Sequence, residues 1–125
     1  MDENSIAKRI LGAAIEVHRK IGPGLLESTY QQCLAHELRI QQIPFEQEKH
    51  VGLEYKGLTV EKAYRADFVV ADKVIVELKS VEHVEKVHKA QLLTYLKWSR
   101  LRLGLLLNFN VPMMRTGITR IVNQL

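Results

Sequence analysis

The chain has 125 residues, enough to bury one hydrophobic core and too few for two ordinary domains, so residues 1–125 read as a single domain. With 46% hydrophobic and 26% charged residues and no repeat or low-complexity tract, the composition excludes a disordered or fibrous chain. A net charge of +4 is compatible with a polyanionic partner without requiring one, and the single cysteine, Cys33, excludes an internal disulfide.

The opening residues, Met1 to Ser5, are acidic and lack the basic start and apolar run of a secretory signal. The longest apolar stretch, Leu101 to Val111, is broken by Arg102, Gly104, Asn108 and Asn110 and is far short of a membrane span. A cytoplasmic location with no membrane partner is the expectation. Ile6, Ile10, Ala13, Ala14, Val17 and Ile21 recur at helical spacing behind a cap at Asn4 or Ser5, which predicts a first helix. Ile21-Gly22-Pro23-Gly24 breaks it, and Leu26, Tyr30, Leu34 and Leu38 form a second helical stripe running to about Gln41. Cys33 sits inside that stripe and reads as a buried structural thiol.

From Phe45 to Tyr55 the pattern changes to period two, with Val51, Leu53 and Tyr55 on one side. Lys56-Gly57 makes a turn, a second extended run spans Leu58 to Val70, and a third runs from Val74 to Lys79, giving an antiparallel meander. A helix from about Val84 to Ser99 follows, with Val84, Val87, Leu92, Leu93 and Leu96 as its apolar positions. Leu103 to Phe109 reads as a buried strand, so strand, helix and strand together predict a right-handed parallel crossover. Pro112 ends that strand, and Gly117 to Val122 fits either an edge strand or a helical turn.

The chemistry concentrates in Ala66-Asp67-Phe68-Val69-Val70 and Val76-Glu77-Leu78-Lys79. If Ala71, Asp72 and Lys73 form a three-residue loop, Val70 pairs with Val74 and Asp67 falls opposite Glu77, with Cβ atoms about 4.5–5.5 Å apart. A two-residue loop would slip the register and send Glu77 to the other face. Phe68, Val70, Val74, Val76 and Leu78 share the core face, which leaves Asp67, Glu77 and Lys79 with Val69 and Ile75 on the other. Two carboxylates in a partly apolar setting repel, and Lys79 together with a divalent ion would balance them. The plainer alternative is a cross-strand charge cluster worth little to folding.

Gln91 and Tyr95 are spaced to share one helix face, with His88 a turn earlier, and could point over the carboxylates or form an ordinary amphipathic face. Glu27 lies in the first turn of the second helix, where the helix dipole favours it regardless of function. His83 and His88 stand five apart and do not form a zinc-helix pair, and no Gly-Lys-Ser/Thr follows Gly22 and Gly24 to make a phosphate loop.

Gly24, Glu27 and Tyr30 match the spacing of the GxxExxY family. The resemblance continues through Tyr64-Arg65-Ala66-Asp67, Val76-Glu77-Leu78-Lys79, Gln91 to Leu96 and Asn108 to Pro112. That family resembles a branch of the PD-(D/E)XK, restriction-endonuclease-like nucleases, although Ala66 stands where the motif's proline would be. The resemblance implies an α/β fold with an α-β-β-β-α-β core, a mixed central sheet flanked by helices. It further implies Asp67 and Glu77 as metal ligands, Lys79 as the catalytic lysine, Glu27 as a helix-borne acidic residue, and Gln91 with Tyr95 as a helix motif of exonuclease-type members.

The expected function is a nuclease dependent on Mg²⁺ or Mn²⁺, held by Asp67, Glu77 and the Leu78 carbonyl, with Glu27 acting through metal or water. DNA is expected ahead of RNA. The alternative is a non-catalytic nucleic-acid-binding or protein-interaction module that keeps the scaffold. So small a chain leaves little room for target recognition, so specificity would come from a homodimer or a protein partner.

Overall fold

Asp2 caps the first helix, where Asn4 or Ser5 was expected: its Oδ1 accepts the Ser5 N–H at 2.8 Å, and α1 then runs over Glu3–Ile21. The computed structural model describes residues 1–125. The second helix, α2, covers Glu27–Ile40, with Leu26 as its N-cap. Leu26 is therefore not part of the apolar stripe: it is 75% exposed, whereas Tyr30, Leu34 and Leu38 are fully buried.

Three strands follow as a meander, β1 over Phe45–Tyr55, β2 over Leu58–Val70 and β3 over Val74–Lys79. Helix α3, over Lys86–Ser99, leads to β4 over Leu103–Asn108, and a short 3₁₀ turn at Met114–Gly117 precedes β5 over Ile118–Val122. The final segment is thus an edge strand. The sheet order is β1-β2-β3-β4-β5, antiparallel throughout except for the parallel β3–β4 pair that α3 connects. No helix is long and apolar enough to cross a membrane.

The sheet is covered on both faces. Residues of α1 and α2, including Ile10, Tyr30 and Leu34, pack with Phe68, Val70, Val76, Leu78 and Leu105 on one side. On the other side Leu92 and Leu96 of α3 pack on Ala66, Val69, Ile75 and Leu106. Val87, expected among the apolar positions of α3, is instead 66% exposed, because it lies on the far side of the helix from the buried Leu92 and Leu96. The close approach of α3 to the sheet depends on Gly104, where an added Cβ would lie only 2.9–3.0 Å from the Leu92 side chain.

Alternation in β1 does not run its full length. The register shifts between Val51 and Leu53, at Gly52, where a Cβ would meet the Val60 carbonyl oxygen at 2.8 Å. Val51, Leu53 and Tyr55 therefore do not share one face in unbroken period. Beyond the bulge the hairpin is largely exposed, with Tyr55 and Leu58 each 60% accessible.

Candidate active site

Val70 pairs with Val74, Val69 with Ile75 and Phe68 with Val76, so Ala71, Asp72 and Lys73 form the three-residue loop, the alternative that keeps Asp67 and Glu77 on one side. Ala71 and Asp72 both adopt positive φ, at 52° and 56°, and Lys73 N–H closes the turn on the Val70 carbonyl at 3.0 Å. Continued one step, this register would set Asp67 against Glu77, but the ladder ends at Phe68 and Val76. There the Asp67 side chain takes over: its Oδ2 accepts the Leu78 N–H at 2.8 Å.

Strict face alternation also fails at Asp67. Phe68 packs with α1 and α2, yet Ala66 packs under α3. On the β1 side the register places Glu48, at φ 55°, between the Gln47–Phe68 and Lys49–Ala66 pairs, opposite the same residue. Asp67 thus sits where β2, continuous as a strand, changes which side its residues pack on.

A cavity of about 190 Å³ gathers Glu27, Asp67, Glu77, Lys79, Gln91 and Tyr95, together with Arg65 and His88. Every side chain expected to act is brought to one place by four elements. β2 and β3 supply Asp67, Glu77 and Lys79, α3 supplies Gln91 and Tyr95, and the N-terminus of α2 supplies Glu27. Leu78 is different: its side chain is fully buried in the α1/α2 core, and only its main chain serves the site, through the N–H to Asp67. Larger concavities of about 400 and 470 Å³ open beside Trp98, but they contain none of Asp67, Glu77 and Lys79. The titratable cluster, rather than size, marks the site.

The position of Glu27 is set by Tyr30. The Tyr30 hydroxyl donates to the Gly22 carbonyl at 2.6 Å and accepts the Leu25 N–H at 3.2 Å, while its ring stacks on Phe109 at 4.5 Å. Gly24, at φ 89°, turns the chain between these contacts. Ser80, just past β3, donates its hydroxyl to the Leu25 carbonyl at 2.7 Å and ties this corner to the sheet. On the opposite wall, Tyr64 stacks on Tyr95 at 3.7 Å and donates to its carbonyl at 2.8 Å, so the phenol ring is held in place.

Electrostatics follow from this crowding. Burial, then the Asp67 charge beside it, push the Glu77 carboxyl up to about 9 from an ordinary 4.5. Glu27 is raised by burial first and by Asp67 second, with Lys79 and His88 opposing. Burial, with Glu77 and Asp67 behind it, raises the Tyr95 hydroxyl, which is therefore a hydrogen-bond donor. Lys79 forms no ion pair, and Arg65, which lines the same cavity, meets Glu48 at 3.8 Å on the half-exposed rim.

Glu77 Oε1 is buried and has no hydrogen-bond partner. A buried acceptor left alone is costly, and one beside a second carboxylate calls for a proton, as the raised Glu77 carboxyl holds in the metal-free chain, or for a metal cation in its place. No three acidic, histidine or cysteine side chains converge as a ready ligand set. A magnesium-like ion does not need three, because it keeps several waters and takes only one or two carboxylates. Asp67 and Glu77 fit that demand.

Arg65 is the lining residue that sequence reasoning passed over. Its signal was a basic residue two positions before Asp67 in an extended run, which spacing alone does not separate from an ordinary exposed strand position.

Among curated proteins and among solved structures, nothing matches the chain. The model of the PD-(D/E)XK nuclease superfamily matches residues 4–121, from the start of α1 to β5, and so takes in both walls of the cavity and the sheet between them. With a family match of that extent joined to a mixed five-stranded sheet of this order, the chain belongs to the PD-(D/E)XK nuclease superfamily.

Proposed function

We propose that the protein is a divalent-metal-dependent nuclease that hydrolyses phosphodiester bonds in DNA, and that it falls in the GxxExxY branch marked by Gly24, Glu27 and Tyr30. The observation that carries this reading is the unpartnered, buried Glu77 Oε1 beside Asp67 in a cavity that also holds Lys79. Asp67, Glu77 and the Leu78 carbonyl would hold Mg²⁺ or Mn²⁺. When bound, such an ion polarises a phosphoryl oxygen and lowers the pKa of a water.

The protein groups have separate tasks. Lys79, free of any ion pair, orients the attacking water and stabilises charge developing on the phosphate. Glu27 accepts a hydrogen bond from that water at the cavity rim. Tyr95 and Gln91 donate to phosphate oxygens from α3, and Arg65 at the mouth supplies a further cation for the backbone of the nucleic acid. These groups read phosphate and not base, so specificity lies in a second copy of the chain or in a partner.

The test is cleavage of linear, nicked and single-stranded DNA, and of RNA of matched sequence, with Mg²⁺ or Mn²⁺. Wild type is expected to cut DNA, and Asp67→Ala and Lys79→Ala are expected to be inactive, with Lys79→Ala still binding metal. Full activity in both variants would refute the assignment. A second reading is a binding module that retains the scaffold. Metal and nucleic-acid binding without cleavage would establish it instead.

A further inference from the structure

His88 lines the same cavity and has no part in the roles above. It is the third residue of α3, and its spacing from Gln91 and Tyr95 puts all three on one helix face. The ring is anchored from behind. The Glu85 main-chain N–H, at the helix cap, donates to His88 Nδ1 at 3.0 Å.

That bond decides the chemistry of the other nitrogen. Nδ1 accepts, so it presents a lone pair, and in the neutral ring the proton resides on Nε2. Nε2 is then a donor and lacks the free lone pair that a metal ligand needs. No group of the protein receives its proton. The carboxylates of the cavity call for a cation, whereas this N–H is a donor at fixed orientation, suited to an oxygen that arrives with the substrate.

We propose that His88, through Nε2–H, hydrogen-bonds a non-bridging oxygen of the substrate phosphodiester, with the α3 cap fixing its tautomer; this rests on the nuclease reading given above. His88 is in this sense a substrate-binding residue whose orientation is built into the start of a helix. The cap itself follows the logic of a capping box, in which the third helical side chain reaches back to the N-cap N–H.

Two variants separate the cap from the reach. In His88→Asn, Oδ1 can replace Nδ1 as the acceptor for Glu85 N–H, but nothing extends to the Nε2 position. In His88→Ala both are lost. The expected result is that both variants lose about 10²-fold in kcat, while only His88→Ala lowers Tm, by about 4 °C. Mn²⁺ affinity should stay at the wild-type value in both, and binding of a short single-stranded oligodeoxynucleotide should weaken about tenfold. The nitrogen-15 spectrum of wild type should show His88 protonated at Nε2, with that resonance moving when the oligonucleotide is added.

His88→Asn with wild-type turnover and oligonucleotide affinity would overturn the proposal and leave His88 as a cap only. Loss of Mn²⁺ binding in His88→Asn, or a proton on Nδ1, would also overturn it. If wild type cuts no nucleic acid, the nuclease reading fails by itself, and the oligonucleotide affinities and the nitrogen-15 shift still decide the role of His88.

Discussion

Asp67 Oδ2 accepts the Leu78 N–H at 2.8 Å where the β2–β3 ladder stops, so one carboxylate both closes the sheet and faces the cavity. Its hydrogen-bonding and its charge can be removed separately. Asp67→Asn keeps an oxygen for Leu78 N–H, whereas Asp67→Ala strands that partly buried donor. Asp67→Asn is therefore expected to be more stable than Asp67→Ala by about 1–2 kcal/mol in urea unfolding, with metal binding lost in both.

Glu77 makes the metal-free fold pH-sensitive. Its carboxyl titrates near 9 in the folded chain against an ordinary 4.5, so the native state holds a proton that the unfolded state releases. The stability tied to this proton is complete below about pH 4.5 and is lost as pH rises towards about 9. Glu77→Gln keeps the shape and does not titrate. It is expected to exceed metal-free wild type by on the order of 1–3 kcal/mol near pH 7, with the gap widening as pH increases. Thermal unfolding across pH checks this, and a gap that narrows with rising pH would refute it.

Tyr30 acts on the site through the corner before α2. Tyr30→Phe removes the donor to Gly22 and the acceptor for Leu25 while leaving the stack on Phe109. A loss of about 1–2 kcal/mol is expected. Because Glu27 is carried on the freed corner, kcat should fall as well, in conditions where the variant is fully folded.

Gly104 sets how closely α3 lies on the sheet. A Cβ there would press on Leu92 at 2.9–3.0 Å, so Gly104→Ala is expected to cost about 1–3 kcal/mol. Gln91 and Tyr95 move with α3, but Asp67 and Glu77 belong to β2 and β3. Cleavage should therefore drop by tenfold or more while metal affinity is retained, a split that titration and kinetics on one sample would reveal.

The legible part of this protein was its local arithmetic. Asp67 could face Glu77 with a three-residue loop but not with a two-residue one, and the observed Val70–Val74 pairing has three. The apolar run from Leu103 required a buried strand, and β4 is buried throughout. Periodicity stopped being a guide where tertiary contacts override it. Phe68 and Ala66 have the same parity yet pack on opposite faces, with Asp67 between them and Glu48, at positive φ, opposite it on β1. Leu26 fits its helical stripe but stands before the first turn of α2, and Val87, although apolar, lies about 140–180° round α3 from Leu92 and Leu96, so both are exposed. The hydroxyl clamp of Tyr30 and the rim position of Arg65 depend on neighbours distant in sequence or on strand twist, and neither leaves a periodic trace.

The central claim is that Asp67 and Glu77 together hold a divalent ion. The direct measurement is calorimetric titration of Mn²⁺ into wild type and Glu77→Gln at pH 7 in two buffers of different ionisation enthalpy, which reports both binding and proton release. Wild type is expected to bind with release of about one proton per ion, as Glu77 must ionise to ligate, and Glu77→Gln is expected to bind weakly or not at all. Binding of equal strength in both proteins, or binding by wild type without proton release, would contradict the assignment.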